Sequence, residues 1–127
     1  MPITQAELEE TAEMAMFYFM AKAEEKFKRT FKVLPLRFDL RGKAIGQAWN
    51  KHGYRYLRLN SEMLRDHPEE IVPTVAHECA HVVTALVYPE ASSHGYHWGA
   101  IMLMVFDQEP NIYHNVETTK YAARKRR

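Results

Sequence analysis

Cysteine is nearly missing from this chain: Cys79 stands alone among 127 residues. One thiol excludes an intramolecular disulfide, and it excludes a zinc site built from cysteine pairs. The lack of a disulfide framework fits a reducing compartment. Long apolar runs are missing too, since no stretch approaches the roughly 18–20 residues that a bilayer crossing needs. The opening MPITQAELEE has neither the basic start nor the apolar segment of a secretory signal. These absences predict a protein that is not secreted and has no membrane partner. Its expected place is the cytoplasm, or the host-cell cytoplasm if the source is viral.

Net charge is also small, at +1, but it hides an asymmetry. The last eight residues, KYAARKRR, hold Lys120, Arg124, Lys125, Arg126 and Arg127 and no acid. With those five of the 17 basic residues set aside, 12 face 16 acidic residues over 1–119, a balance of −4. A mildly acidic body therefore ends in a basic segment. We expect residues 1–119 to be one domain and 120–127 a flexible tail.

What is present suits a single packed domain. Hydrophobic residues make up 46% of the chain and aromatic residues 12%, enough for a core without staples. Thr4-Gln5-Ala6-Glu7 reads as a capping box. Behind it Leu8, Ala12, Ala15, Met16, Phe19 and Ala23 recur at helical spacing, which predicts a long amphipathic helix over 5–29. Residues 33–40, 44–50 and 54–59 read as strands, with Gly53 at positive φ in the hairpin turn between the last two. A short helix is expected over 61–66, then a main helix over 73–87 stopped by Tyr88-Pro89. A closing helix begins around Trp98 and ends near Pro110.

The main helix carries His77-Glu78-Cys79-Ala80-His81, an H-E-x-x-H motif. At about 3.6 residues per turn, two histidines four apart face the same way and can share one metal ion. Zinc at such a pair acidifies water, and a glutamate beside it can take the proton as that water attacks a carbonyl. The rest of the helix is apolar, including Val75, Ala76, Cys79, Val82 and Val83. Two imidazoles and a carboxylate on such a helix are costly unless something satisfies them, and a metal is the simplest answer. Catalytic zinc usually takes three protein ligands. The segment SSHGYHW, residues 92–98, offers His94 and His97, while Glu90 or Glu109 would make a carboxylate third ligand. The spacing leaves that choice open.

These residues resemble the SprT-like zinc peptidases of the SprT/Spartan type. That family's pattern is H-E-x-x-H, a loop, then H-G-x-x-W opening a helix, as in His94-Gly95-Tyr96-His97-Trp98. Upstream, Gly46-Gln47-Ala48-Trp49 and Leu57-Arg58-Leu59-Asn60 are similar to the family's G-x-A-W and I-x-L-N segments. Downstream, Tyr113-His114-Asn115 is similar to a short family segment. The resemblance covers roughly residues 40–117. It implies that the third ligand is His94, that one Zn2+ binds per chain, and that Glu78 is the general base. It implies an α+β, zincin-like fold: a long N-terminal helix, a small three-stranded antiparallel sheet, the H-E-x-x-H helix and a closing helix. The chain looks like a minimal version that lacks the C-terminal zinc ribbon of many relatives.

The implied activity is a zinc-dependent metalloendopeptidase acting on protein or peptide, with DNA-associated proteins and DNA–protein crosslinks as a substrate class. Trp49, His97, Tyr113 and His114 are candidate substrate or transition-state contacts. Lys120, Arg124, Lys125, Arg126 and Arg127 are candidates for weak, non-specific DNA binding through the tail. Two other readings stand beside this one. One is a non-catalytic zinc-binding, DNA-associated adaptor, and the other is a peptidase toxin or maturation factor with no DNA role.

Overall fold

The structure is a computed structural model that describes residues 1–114 and 116–122. Helix α1 runs over Gln5–Phe27. The capping box forms as expected: the Thr4 hydroxyl accepts from the Glu7 amide at 3.0 Å, and Glu7 accepts from the Thr4 amide at 2.9 Å. The helix ends two residues earlier than its periodicity predicts, because Lys28 turns left-handed at φ 56° and donates to the Glu24 carbonyl. Leu8, Ala12, Met16, Phe19 and Ala23 form its buried stripe. That stripe packs on α3, Ile71–Val87.

Three short strands follow: β1 Leu36–Arg37, β2 Gly46–Lys51 and β3 Tyr54–Leu59. Strands β2 and β3 form the expected antiparallel hairpin, with Ala48 opposite Leu57 and Trp49 opposite Tyr56. Its turn residues His52 and Gly53 both take positive φ, at 54° and 89°. Those signs match the right-handed twist of the flanking strands. Asn50 Oδ1 accepts from the Gly53 amide at 2.8 Å and closes the turn.

The sheet is not all antiparallel, contrary to expectation. The strand order is β1-β3-β2, and β1 runs parallel to β3, so the sheet is mixed. The segment 33–40 contributes only two strand residues. Pro35 has no N–H to give a ladder and joins through its carbonyl alone, which accepts from the Leu57 amide at 3.0 Å. The chain then crosses over the place that β3 will occupy and enters the far edge as β2.

Asn60 secures that crossover. Its side-chain amide donates to the carbonyls of Gly42 and Ala44, at 3.0 and 2.9 Å, and its backbone N–H donates to Ile45. Its Oδ1 also accepts from the Met63 amide at 3.1 Å, capping α2, Ser61–Asp66. Asn60 is only 2% exposed, so its own polar groups have left water.

A 3-10 turn at Pro68–Glu70 leads into α3, which starts before Pro73 and so keeps that proline in its first turn. The closing segment is α4, Tyr96–Ala100, continued by a π-helical stretch over Ile101–Val105. Trp98, Ile101, Met102 and Phe106 are buried there. Chain packing continues past residue 119: α5, Thr119–Ala122, buries Tyr121. Asp66 accepts from the Tyr121 hydroxyl at 2.8 Å and pairs with Lys120 at 2.9 Å. That Lys120 hydrogen bond holds the Asp66 carboxyl below its usual range. Lys120, read from the sequence as the start of a flexible tail, is thus held on the domain. Arg124, Lys125, Arg126 and Arg127 lie outside the described residues. The five helices and three strands described make an α+β fold. No described helix is long and apolar enough to cross a membrane.

Removing the Asn60 side chain leaves two loop carbonyls and one helix N-terminus without partners. Asn60→Ala should cost about 3 kcal/mol of stability, one cap and two buried hydrogen bonds. Urea unfolding measures it, and a loss below about 1 kcal/mol would show that the crossover holds by other means.

Candidate metal centre and substrate groove

Helix α3 presents His77 and His81 one turn apart on the side that faces β2 and the loop before α4. That loop brings in His94. The three Nε2 atoms form a nearly equilateral triangle, with His77–His81 at 3.3 Å, His81–His94 at 3.0 Å and His77–His94 at 3.1 Å. Hydrogen bonds alone cannot account for it: each Nε2 of a neutral imidazole either donates or accepts, so at least two of the three are alike and cannot bond each other. Three nitrogens about 2.0–2.1 Å from one tetrahedral ion would stand about 3.3–3.4 Å apart. The observed edges are close to that face of a tetrahedron, so the donor set fits a metal ion, with a fourth direction left for another ligand.

The surroundings prepare the nitrogens for that role. Burial, and then the neighbouring His94, lowers the His77 pKa; burial brings His81 down to about 4. Both imidazoles are therefore neutral near pH 7, the form that ligates. His77 Nδ1 lies 3.3 Å from the Asn111 carbonyl, a partner that places the proton on Nδ1 and leaves Nε2 free to ligate. Trp98 is the base of the cluster. Its ring centroid lies 4.9 Å from those of His77 and His94 and 5.7 Å from that of His81. Its Nε1 donates to the His77 carbonyl at 3.2 Å.

Glu78 is 6% exposed, and one carboxylate oxygen lies 4.0 Å from His77 Nε2. Burial pushes its pKa up to about 8. A cation at the triangle would act the other way and favour the carboxylate. Strand β2 approaches the same carboxylate so closely that no side chain fits at Gly46. A Cβ there would stand 2.7 Å from Thr74 Cγ2 and 3.3 Å from Glu78 Cγ and Oε2.

Two cavities meet at His77 and Glu78. The larger, about 540 Å³, is a groove between β2 and the α3 histidines, closed by the 91–94 loop. The smaller, about 350 Å³, lies beside Thr74 and Met102 and is lined by Tyr113 and His114. The hairpin pairs β2 on one side only, so its other edge is open for pairing among the described residues.

The remaining sequence candidates are placed differently from one another. His97 turns away from the triangle and stacks on Tyr88, with centroids 4.0 Å apart. Trp49 borders the groove through its strand, but its ring lies on the opposite sheet face, stacked on Tyr56 at 5.9 Å. His114 lines the smaller cavity, and its Nδ1 accepts from the Val116 amide at 3.2 Å. That bond leaves Nε2 as the protonated nitrogen of the neutral ring. Tyr113 is 83% exposed, and Asn115 lies outside the described residues. Sequence reasoning missed two supports. Trp98 was named in the His-Gly motif, but not its place beneath the three histidines. The Asn111 carbonyl has no sequence signal, because every residue carries a carbonyl.

The SprT-like family model matches residues 17–121. The chain is 35% identical over 117 residues to Protein SprT of Vibrio parahaemolyticus, covering 89% of this chain and 68% of that protein. It is 35% identical over 98 residues to Protein SprT of Shewanella oneidensis, covering 76% and 62%. It is 36% identical over 110 residues to Protein SprT of Pseudomonas putida, covering 81% and 66%. The chain thus spans about two thirds of the length of these curated relatives. No solved structure matches it significantly.

Gly46 makes a direct test of the site's packing. Gly46→Ala should destabilise the protein by about 1–3 kcal/mol, because the stiff Thr74 side chain cannot yield without moving β2 off α3. Thermal unfolding of the two proteins reads this out, and an unchanged midpoint would mean that the strand does not sit this close to Glu78.

Proposed function

The chain belongs to the SprT-like family, and from that premise we propose that it is a zinc-dependent metalloendopeptidase of zincin type. One observation carries the reading. Three imidazole nitrogens converge within 3.3 Å of one another, beside a buried carboxylate and an open strand edge.

His77, His81 and His94 would hold one Zn2+ per chain. When bound, the zinc supplies Lewis acidity to water and to the scissile carbonyl. The chain's own residues do the rest. An extended peptide lies along the free edge of β2, where main-chain N–H and C=O groups add it to the sheet whatever its sequence. That alignment carries one peptide bond past Glu78. The Glu78 carboxylate takes a proton from water as the oxygen attacks the carbonyl carbon, then gives it to the amine nitrogen as the C–N bond breaks. The Nε2–H of His114 is a candidate donor to the carbonyl oxygen as negative charge develops there.

Buried Glu78 argues against a purely structural zinc adaptor, which has no use for a carboxylate held off the ligand set. DNA-associated proteins and DNA–protein crosslinks are substrates that rest on the family resemblance alone. Cleavage of a denatured protein compared with a DNA-crosslinked one distinguishes that class from a toxin or maturation peptidase.

Two variants test the assignment. Glu78→Gln keeps size and hydrogen bonding but cannot take the proton, so zinc content should hold while hydrolysis drops about 10²-fold or more. His94→Ala should lose most of the zinc, whereas His97→Ala should keep it. Parent-rate cleavage by the Glu78 variant, or zinc loss on changing His97 alone, would refute these roles.

A further inference from the structure

The sheet has a second face, and the peptidase reading makes no use of it. Strand alternation sends Gly46 and Leu57 toward α3 and sends Trp49, Lys51, Tyr54, Tyr56 and Arg58 the other way. Arg37 of β1 lies opposite Arg58 and joins that outer face. On it the rings form a continuous row: Trp49 and Tyr56 are stacked with planes 14° apart, and Tyr54 and Tyr56 centroids are 5.4 Å apart. Cations cover the row. The Arg37 guanidinium is 3.9 Å from the Tyr56 centroid, and that of Arg58 is 5.6 Å from Trp49. Trp49 is still 41% exposed and Tyr54 49%.

The row ends at a hollow with a cationic rim. Past the hairpin turn lies a cavity of about 700 Å³ that Tyr54, Arg29, Lys32 and His52 line together with Arg55 and with Val82 and Leu86 of α3, and no carboxylate side chain is among its described lining residues. At the other end of the row, Asp39 is held by Arg58 at 2.8 Å. Exposed rings flanked by cations fit a polyanion that also carries flat faces. Arg and Lys neutralise its phosphates, and the rings take unpaired bases one after another without reading them. A duplex keeps its bases stacked on each other, and an acidic peptide has no use for the rings.

We propose that the outer face of the sheet, from Arg37 and Trp49 through Tyr54 to the Arg29–Lys32 hollow, is a binding platform for single-stranded nucleic acid. It needs neither the metal nor Glu78. Because β2 contributes its outer side chains to the platform and its free edge to the groove, nucleic acid and polypeptide can occupy one molecule together.

Fluorescence anisotropy of a labelled 15-nucleotide oligothymidylate with the full chain tests this. About four phosphate contacts give a log–log salt slope near −3 for a single strand. Tyr54→Ala combined with Lys51→Glu should weaken binding by about tenfold or more, since one stacked base and one cation are lost. Both positions are exposed on the hairpin, and an unchanged melting temperature and zinc content would show an intact fold. Lys51→Glu alone should give a smaller loss. Glu78→Gln should bind as the parent does. Arg124→Ser, Lys125→Ser, Arg126→Ser and Arg127→Ser combined in the full chain, the Ser variant, should leave most of the affinity in place. Three results would overturn the proposal: parent-like affinity in the double variant, loss of binding in the Ser variant, or equal competition by a duplex.

Discussion

Helix α3, whose other residues are largely apolar, carries two imidazoles and a carboxylate to one place, and the other parts of the site are arranged around that placement. Cys79, Ala80, Val82 and Val83 on the same helix are all buried. Polar groups on such a helix cost free energy until each has a partner. The loop at His94 supplies a third nitrogen, the Asn111 carbonyl settles the His77 tautomer, and Trp98 closes the base. On the opposite side, Gly46 lets β2 come against Thr74 and Glu78 with no side chain between them. The result is a set of three imidazole nitrogens aimed at one point, with an open strand edge next to it.

Much of this was legible in the sequence, for identifiable reasons. The H-E-x-x-H spacing is a statement about one helix face, and a helix of near-continuous apolar residues could only be buried. The Thr4–Glu7 capping box, the His52-Gly53 turn and the short helix after Asn60 are local devices, and local devices survive translation into structure. His94 came from the resemblance rather than from spacing, and the structure puts it on the triangle and His97 on Tyr88.

What the sequence did not disclose was non-local. Alternation in residues 33–40 suggests a strand but not its partner, and direction depends on where the chain crosses. The parallel β1–β3 pairing follows from the crossover that Asn60 secures sixteen to eighteen residues away. The docking of Lys120 and Tyr121 on Asp66 was hidden in the same way, because a basic terminal segment reads as solvated until its distant partner is seen. Trp49 shows the complementary point. Its motif marked it as important, yet only the strand register shows that its ring belongs to the outer face.

X-ray absorption at the zinc edge of the protein as purified reads the ligand set most directly. Three imidazole nitrogens and one oxygen at about 2.0–2.1 Å, with about one zinc per chain, is the expected result. A sulfur ligand at about 2.3 Å, a closed shell of four protein ligands, or protein that takes up no zinc would contradict it.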